Sequence, residues 1–164
     1  MAKLTEFGIE SLPKTLSGLI RIALKDEDRM FKSPMYYIDM SEWHLPAGYG
    51  PKNNRVCRVC LAGAVMAGTL GLDHTQYETP GSLLPDDESD RLGSLDSVRT
   101  GDMFEALVEG RFIGIEDAIV IGTEIKNAIG KPPIYRSQRI KPEKRKEWRK
   151  WMFRCAKELE ARGL

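Results

Sequence analysis

Cys57 and Cys60 stand two residues apart, with His44 thirteen residues before the first and His74 fourteen residues after the second. These are the residues whose types and spacing could do chemistry. In one reading Cys60 opens a helix, and the unsatisfied N–H groups and positive dipole end there stabilise its thiolate. His44 would then act as base, with Asp39 or Glu42 orienting the imidazole, giving a cysteine-dependent hydrolase or transferase. In a second reading Cys57, Cys60, His44 and His74 complete a tetrahedral zinc site in a small binding module, using both histidines of the chain. A third is a Cys-x-x-C redox pair. Each meets an objection: the flanking signature of known cysteine nucleophiles is absent, a single C-x-x-C is half of a strong zinc motif, and the alternation of a thioredoxin fold is missing. Against all three stands a plain packing role, because free cysteines are commonly small buried hydrophobes. That reading favours no cofactor and binding over catalysis.

The element that must position these residues is the stretch 59–72, which carries no charged residue and has no polar stripe at helical spacing. It predicts a helix buried on all sides, too short at fourteen residues to span a bilayer, which takes roughly 20. Cys60, Ala64, Ala67 and Gly71 share one face, and Gly63 and Gly68 would let a neighbouring helix come close. Upstream, residues 41–54 contain Pro46, Gly48, Gly50 and Pro51, the composition of a surface loop that carries Trp43 and His44.

Other elements follow from periodicity. Leu12, Leu16, Leu19, Ile20, Ala23 and Leu24 mark a helix over 11–28, with Ser11 as a cap and Pro13 near its first turn. Residues 35–40 have the aromatic and β-branched content of a short strand. Residues 73–90 read as an exposed acidic connection, and 92–108 as two short helices meeting near Thr100 and Gly101. Residues 115–129 form a helix with Ile115, Ala118, Ile119, Gly122, Ile125 and Ile129 on one side, closed by Gly130. The last helix, from Pro142 to about Arg162, carries Trp148, Trp151, Met152, Cys155 and Leu159 at steps of three or four. The expected fold class is α+β, mainly helical: one domain over residues 1–164, with a buried central helix and a small sheet of two or three short strands.

Composition limits the function classes. With 164 residues, 41% hydrophobic and 30% charged, the chain suits one soluble core, neither disordered nor membrane-embedded. Three cysteines and the absence of a hydrophobic run after Met1, Ala2 and Lys3 point to a reducing cytoplasm. The net charge of +1 hides a separation: residues 73–105 are net negative by seven, and residues 131–154 net positive by eight. These regions could attract each other within one chain or across a homodimer, or the basic part could meet an outside polyanion. On the basic C-terminal segment 131–164, Lys144, Arg145, Arg149, Lys150 and Arg154 with Trp148 and Trp151 are the candidate binding residues, suited to an acidic protein partner or nucleic acid. A solvated face on a helix docked by its tryptophans is the simpler alternative. No helix-turn-helix, RNA-recognition or finger signature accompanies them.

The segments Tyr37-Ile-Asp-Met-Ser-Glu-Trp43-His44, Cys57-Arg-Val-Cys60-Leu-Ala-Gly-Ala-Val-Met-Ala67 and Leu92-Gly-Ser-Leu-Asp-Ser-Val-Arg99-Thr-Gly101 resemble a group of small uncharacterised proteins of tailed bacteriophages and prophages. The likeness covers roughly the first two-thirds of the chain and leaves the basic tail outside. It implies a viral origin and the cytoplasm of a bacterial host, and carries no catalytic residue across. Small phage proteins of this size are often accessory factors that bind a host or defence protein, an analogy independent of fold. The expectation is an accessory protein binding a host macromolecule, in host takeover or anti-defence.

Overall fold

The computed structural model describes residues 12–31, 36–38, 44–45, 57–70, 86–133, 140 and 142–164. Helix α1 spans Leu16–Phe31 and turns Leu16, Leu19, Ile20, Ala23 and Leu24 into the core. It starts later than its periodicity suggests, because Thr15 is the residue that caps it: the Thr15 hydroxyl accepts the Gly18 N–H at 3.2 Å. Ser11, the expected cap, lies outside the described residues. Next in order, α2 is Leu61–Leu70, and its residues 61–66 are all buried, as a segment without a polar stripe requires. It packs chiefly on α1.

Three short helices follow. The first, α3, is Asp86–Gly93, where the acidic run was expected to be an exposed connection. Carboxylates in a first turn favour a helix, since they face the positive end of its dipole, and Leu92 closes that helix onto the core. After Ser94 comes α4, Leu95–Thr100, ended by Gly101 at φ 81°, whose N–H bonds back to the carbonyls of Ser97 and Val98. Asp102 then caps α5, Met103–Glu109, by accepting the Glu105 N–H at 3.1 Å. The break expected near Thr100 and Gly101 is therefore present, made by a left-handed glycine followed by an acidic cap.

Helix α6, Ile115–Ile129, buries Ala118, Gly122, Ile125 and Ile129. Gly122 lies where α5 comes closest, and a Cβ there would stand 3.2 Å from the Phe104 backbone nitrogen. Helix α7, Pro142–Glu160, buries Trp148, Met152, Cys155, Ala156 and Leu159 against α1 and α6. Among the described residues no helix is long and apolar enough to cross a membrane.

The expected α+β class is corrected by this architecture. Helices hold 76% of the residues whose side chains are described, and none of those residues lies in a strand. Three backbone segments, Tyr36–Ile38, His44–Leu45 and Cys57–Val59, run edge to edge for two or three residues each. Segments of that length make no full layer, and every buried hydrophobic residue described lies on a helix or within four residues of one. The fold is mainly helical. Within the expected strand 35–40, Tyr36–Ile38 is extended and paired, but three residues do not make a layer, and helix-on-helix packing provides the described core.

Candidate functional site

Cys60 is the residue immediately before α2, where the sequence placed it, and its sulfur accepts the Gly63 N–H at 3.3 Å. That contact favours a thiolate, yet the residue is only 3% exposed. Burial is the larger effect, the negative charge of Asp96 adds to it, and together they push the thiol up to about 12. At neutral pH the group is a protonated thiol in the core. Cys155 behaves the same way, pushed up to about 12 by burial and then by Glu158.

The backbone brings His44 opposite Val59, one residue before Cys60, and Tyr36 opposite Cys57. The two segments expected to meet are thus neighbours. The side chains of His44 and Cys57 lie outside the described ones, as do Asp39, Glu42, Trp43 and His74 altogether. Among the described residues no group of three or more His, Cys, Asp or Glu gathers as metal ligands would.

Asp96 is a neighbour of Cys60 that sequence reasoning missed. Burial pushes its carboxyl up to about 7 against the opposing pull of the Arg99 guanidinium, and its Oδ1 is buried without a hydrogen-bond partner. A single Asp inside a short helix gives no signal in the sequence. Only the approach of α2 to α4 reveals it.

The candidate binding residues on α7 divide into two sets. Trp148 is wholly buried and Trp151 nearly so, with the Trp151 indole N–H donating to the Gly130 carbonyl at 3.1 Å. The Arg154 guanidinium donates to the Ala128 carbonyl at 3.0 Å, so both side chains satisfy the carbonyls that end α6. Arg149 donates to the Leu24 carbonyl at 2.9 Å and lies 5.4 Å from the centre of the Phe153 ring. Lys144 pairs with Glu147 at 3.1 Å, and Arg145 is half-buried. Of the candidates, Lys150 points to water; with Lys146 and Lys157 it makes an exposed basic stripe at steps of four and seven, interrupted by Phe153. The tryptophans are core anchors, unavailable for stacking on a ligand.

A second surface was absent from the sequence reading. Helices α5 and α6 enclose a groove of about 370 Å³ lined by Phe104, Ile119, Gly122, Thr123, Lys126 and Pro132. Beside it the chain leaves apolar side chains in water: Phe104 is 39% exposed, Ile115 60%, Ile119 54% and Val120 57%. Charges of both signs border this face: Asp102, Lys126 and Lys131 line the groove, and further carboxylates stand along α5 and α6. Glu105 is held above its ordinary range chiefly by the charge of Glu109, with burial and then Asp102 adding. Glu116 and Asp117 are exposed in the first turn of α6. The arrangement offers a partly apolar surface of mixed charge, and among the described residues no activated nucleophile lies beside it.

No family model matches the chain, and comparison with curated proteins and with solved structures returns no match either.

Proposed function

We propose that this chain is a helical binding protein that works by docking rather than by catalysis. More particularly, we read it as a bacteriophage accessory protein whose partner is a host protein. The observation that supports docking is the exposed apolar surface of α5 and α6, where Phe104 and Ile119 line a groove and Ile115 and Val120 stand in water on α6. Grouped apolar side chains in water mark interaction surfaces, whereas single ones need no explanation. The phage setting rests on the resemblance of residues 37–44, 57–67 and 92–101, and the host cytoplasm follows from it.

Affinity capture of the tagged protein from bacterial lysate, with and without nuclease, tests this reading. The expected result is a protein retained after nuclease and lost from both Phe104→Asp and Ile119→Asp chains. Identical capture by wild type and both variants would discard this face as the docking site. Capture abolished by nuclease would move the contact to nucleic acid through the basic segment.

A further inference from the structure

The groove between α5 and α6 changes character along its length. Phe104 and Ile119 line it with partly exposed hydrocarbon, and the exposed Lys126 and Lys131 stand with Asp102 as its charged residues. Ile119 and Lys126 lie seven residues apart on one side of α6, about 10 Å along its axis, with Thr123 between them. A ligand laid along α6 therefore meets an apolar side chain first and an ammonium group two turns later. At about 370 Å³ the groove exceeds the ~150 Å³ that accommodates a benzene ring, leaving room for one large side chain and part of the backbone that carries it.

The polar groups of the groove are unequally engaged. The Thr100 hydroxyl donates to the Ser97 carbonyl and the Thr123 hydroxyl to the Ile119 carbonyl, each at 2.8 Å, so neither proton turns to the groove. The Gly130 carbonyl receives the Trp151 indole N–H at 3.1 Å. Asp102, the one acidic lining residue described, receives the Glu105 N–H at 3.1 Å as the cap of α5. Glu105 and Glu109, farther along α5, are not among the lining residues. What the groove still offers is ammonium N–H, from Lys126 above all, whose ammonium makes no ion pair or hydrogen bond among the described residues. A groove rich in donors and lined in part by hydrocarbon complements an acceptor on an apolar stem. A carboxylate is the strongest such acceptor among unmodified side chains.

We infer that the groove holds a segment of the partner protein in which a large apolar side chain, aromatic or aliphatic, is flanked by carboxylates. The apolar group lies between Phe104 and Ile119, and a carboxylate meets Lys126. An apolar anchor in a pocket supplies affinity, and the charged pair at its edge selects the partner. The inference rests on reading this surface as a docking site and adds the chemistry of what docks there.

Selection of a displayed library of short random peptides on the immobilised full chain tests it. Enriched peptides should carry an aromatic or large aliphatic residue close to Asp or Glu, and their binding, followed by fluorescence anisotropy, should weaken as salt is raised. Ile119→Asp should weaken these peptides roughly tenfold or more. Lys126→Ala should weaken them about two- to fivefold, the range of an exposed ion pair. Far-UV circular dichroism should be unchanged in both variants, because both side chains are exposed. Selection repeated on Lys126→Glu should lose the acidic bias. Enrichment of basic or uncharged apolar peptides overturns the inference, as do acidic peptides indifferent to Ile119→Asp and Lys126→Glu, or no enrichment at all. Lysate capture is judged separately. Capture lost from the Phe104→Asp and Ile119→Asp chains but kept by Lys126→Glu leaves the host-docking reading in place and removes the carboxylate. Capture that ignores both apolar variants removes the host-docking reading, whatever peptides the groove selects.

Discussion

The Gly63 N–H points at the Cys60 sulfur from 3.3 Å, a contact that would stabilise a thiolate, inside a core that forbids one. Desolvation wins: with its thiol pushed up to about 12, Cys60 is essentially all protonated at pH 7 to 8. Iodoacetamide should therefore label it slowly in the native protein and quickly after denaturation, as judged by mass spectrometry of peptides containing Cys60. Fast selective labelling of native protein near neutral pH would bring the Cys60 and His44 nucleophile reading back to the front.

Asp96 sets a dependence of stability on pH. Its folded pKa, near 7, lies above the value of about 3.9 for an unfolded aspartate, so the folded chain binds the extra proton between them. Stability should fall as pH rises from about 4 to 7 and level off above that, once folded and unfolded states are both ionised. Thermal melts of wild type and Asp96→Asn compared at pH 5 and 8 should show the variant gaining most at pH 8. An equal difference between the two proteins at both pH values would rule out Asp96 as the titrating group.

Trp148 and Lys150 are two residues apart and should respond in opposite ways. Trp148→Ala empties a fully buried site and should cost about 3–5 kcal/mol in urea denaturation. Trp148→Phe should cost much less, since it keeps most of the ring volume and removes an indole N–H that is buried without a partner. Lys150→Ala, on the exposed stripe, should stay within about 0.5 kcal/mol.

Gly101 should not tolerate a side chain. Its φ of 81° costs an L-residue roughly 1–2 kcal/mol, and a Cβ there would stand 2.7 Å from Cδ of Pro132. Gly101→Ala should lower the denaturation midpoint by more than the φ cost alone, whereas Gly114→Ala, with open space around it and φ −71°, should be nearly neutral.

Arg154 is bound to the end of α6, and removing its head group should be felt as lost stability before any loss of binding. Arg154→Met keeps the apolar stem and leaves the Ala128 carbonyl to water, for a cost of about 1 kcal/mol. A wild-type denaturation midpoint in this variant would return Arg154 to the set of free surface charges.

By itself the sequence determined most of the helices, the acidic α3 being the one it read as a connection. The spacing of Trp148, Trp151, Met152, Cys155 and Leu159 placed α7 and its buried face, the uncharged run after Val59 placed α2 in the interior, and Gly130 ended α6 where expected. These are local properties, set by a 3.6-residue period and by which residues can stop it. Tertiary structure decided what each face meets. Ile115 and Ile119 share the apolar side of α6 by period, but α5 and α7 cover only the part bearing Ala118, Gly122, Ile125 and Ile129, so the two isoleucines remain in water. The basic side chains of α7 were countable in advance, yet only packing separated Arg149 and Arg154, bonded to backbone carbonyls, from Lys146, Lys150 and Lys157, left in water. Nothing near Asp96 in sequence foretold its burial beside Cys60. A period states which residues share a side, but the width of the neighbour packed against it fixes which of them leave solvent, and that width is made by residues far away in the chain.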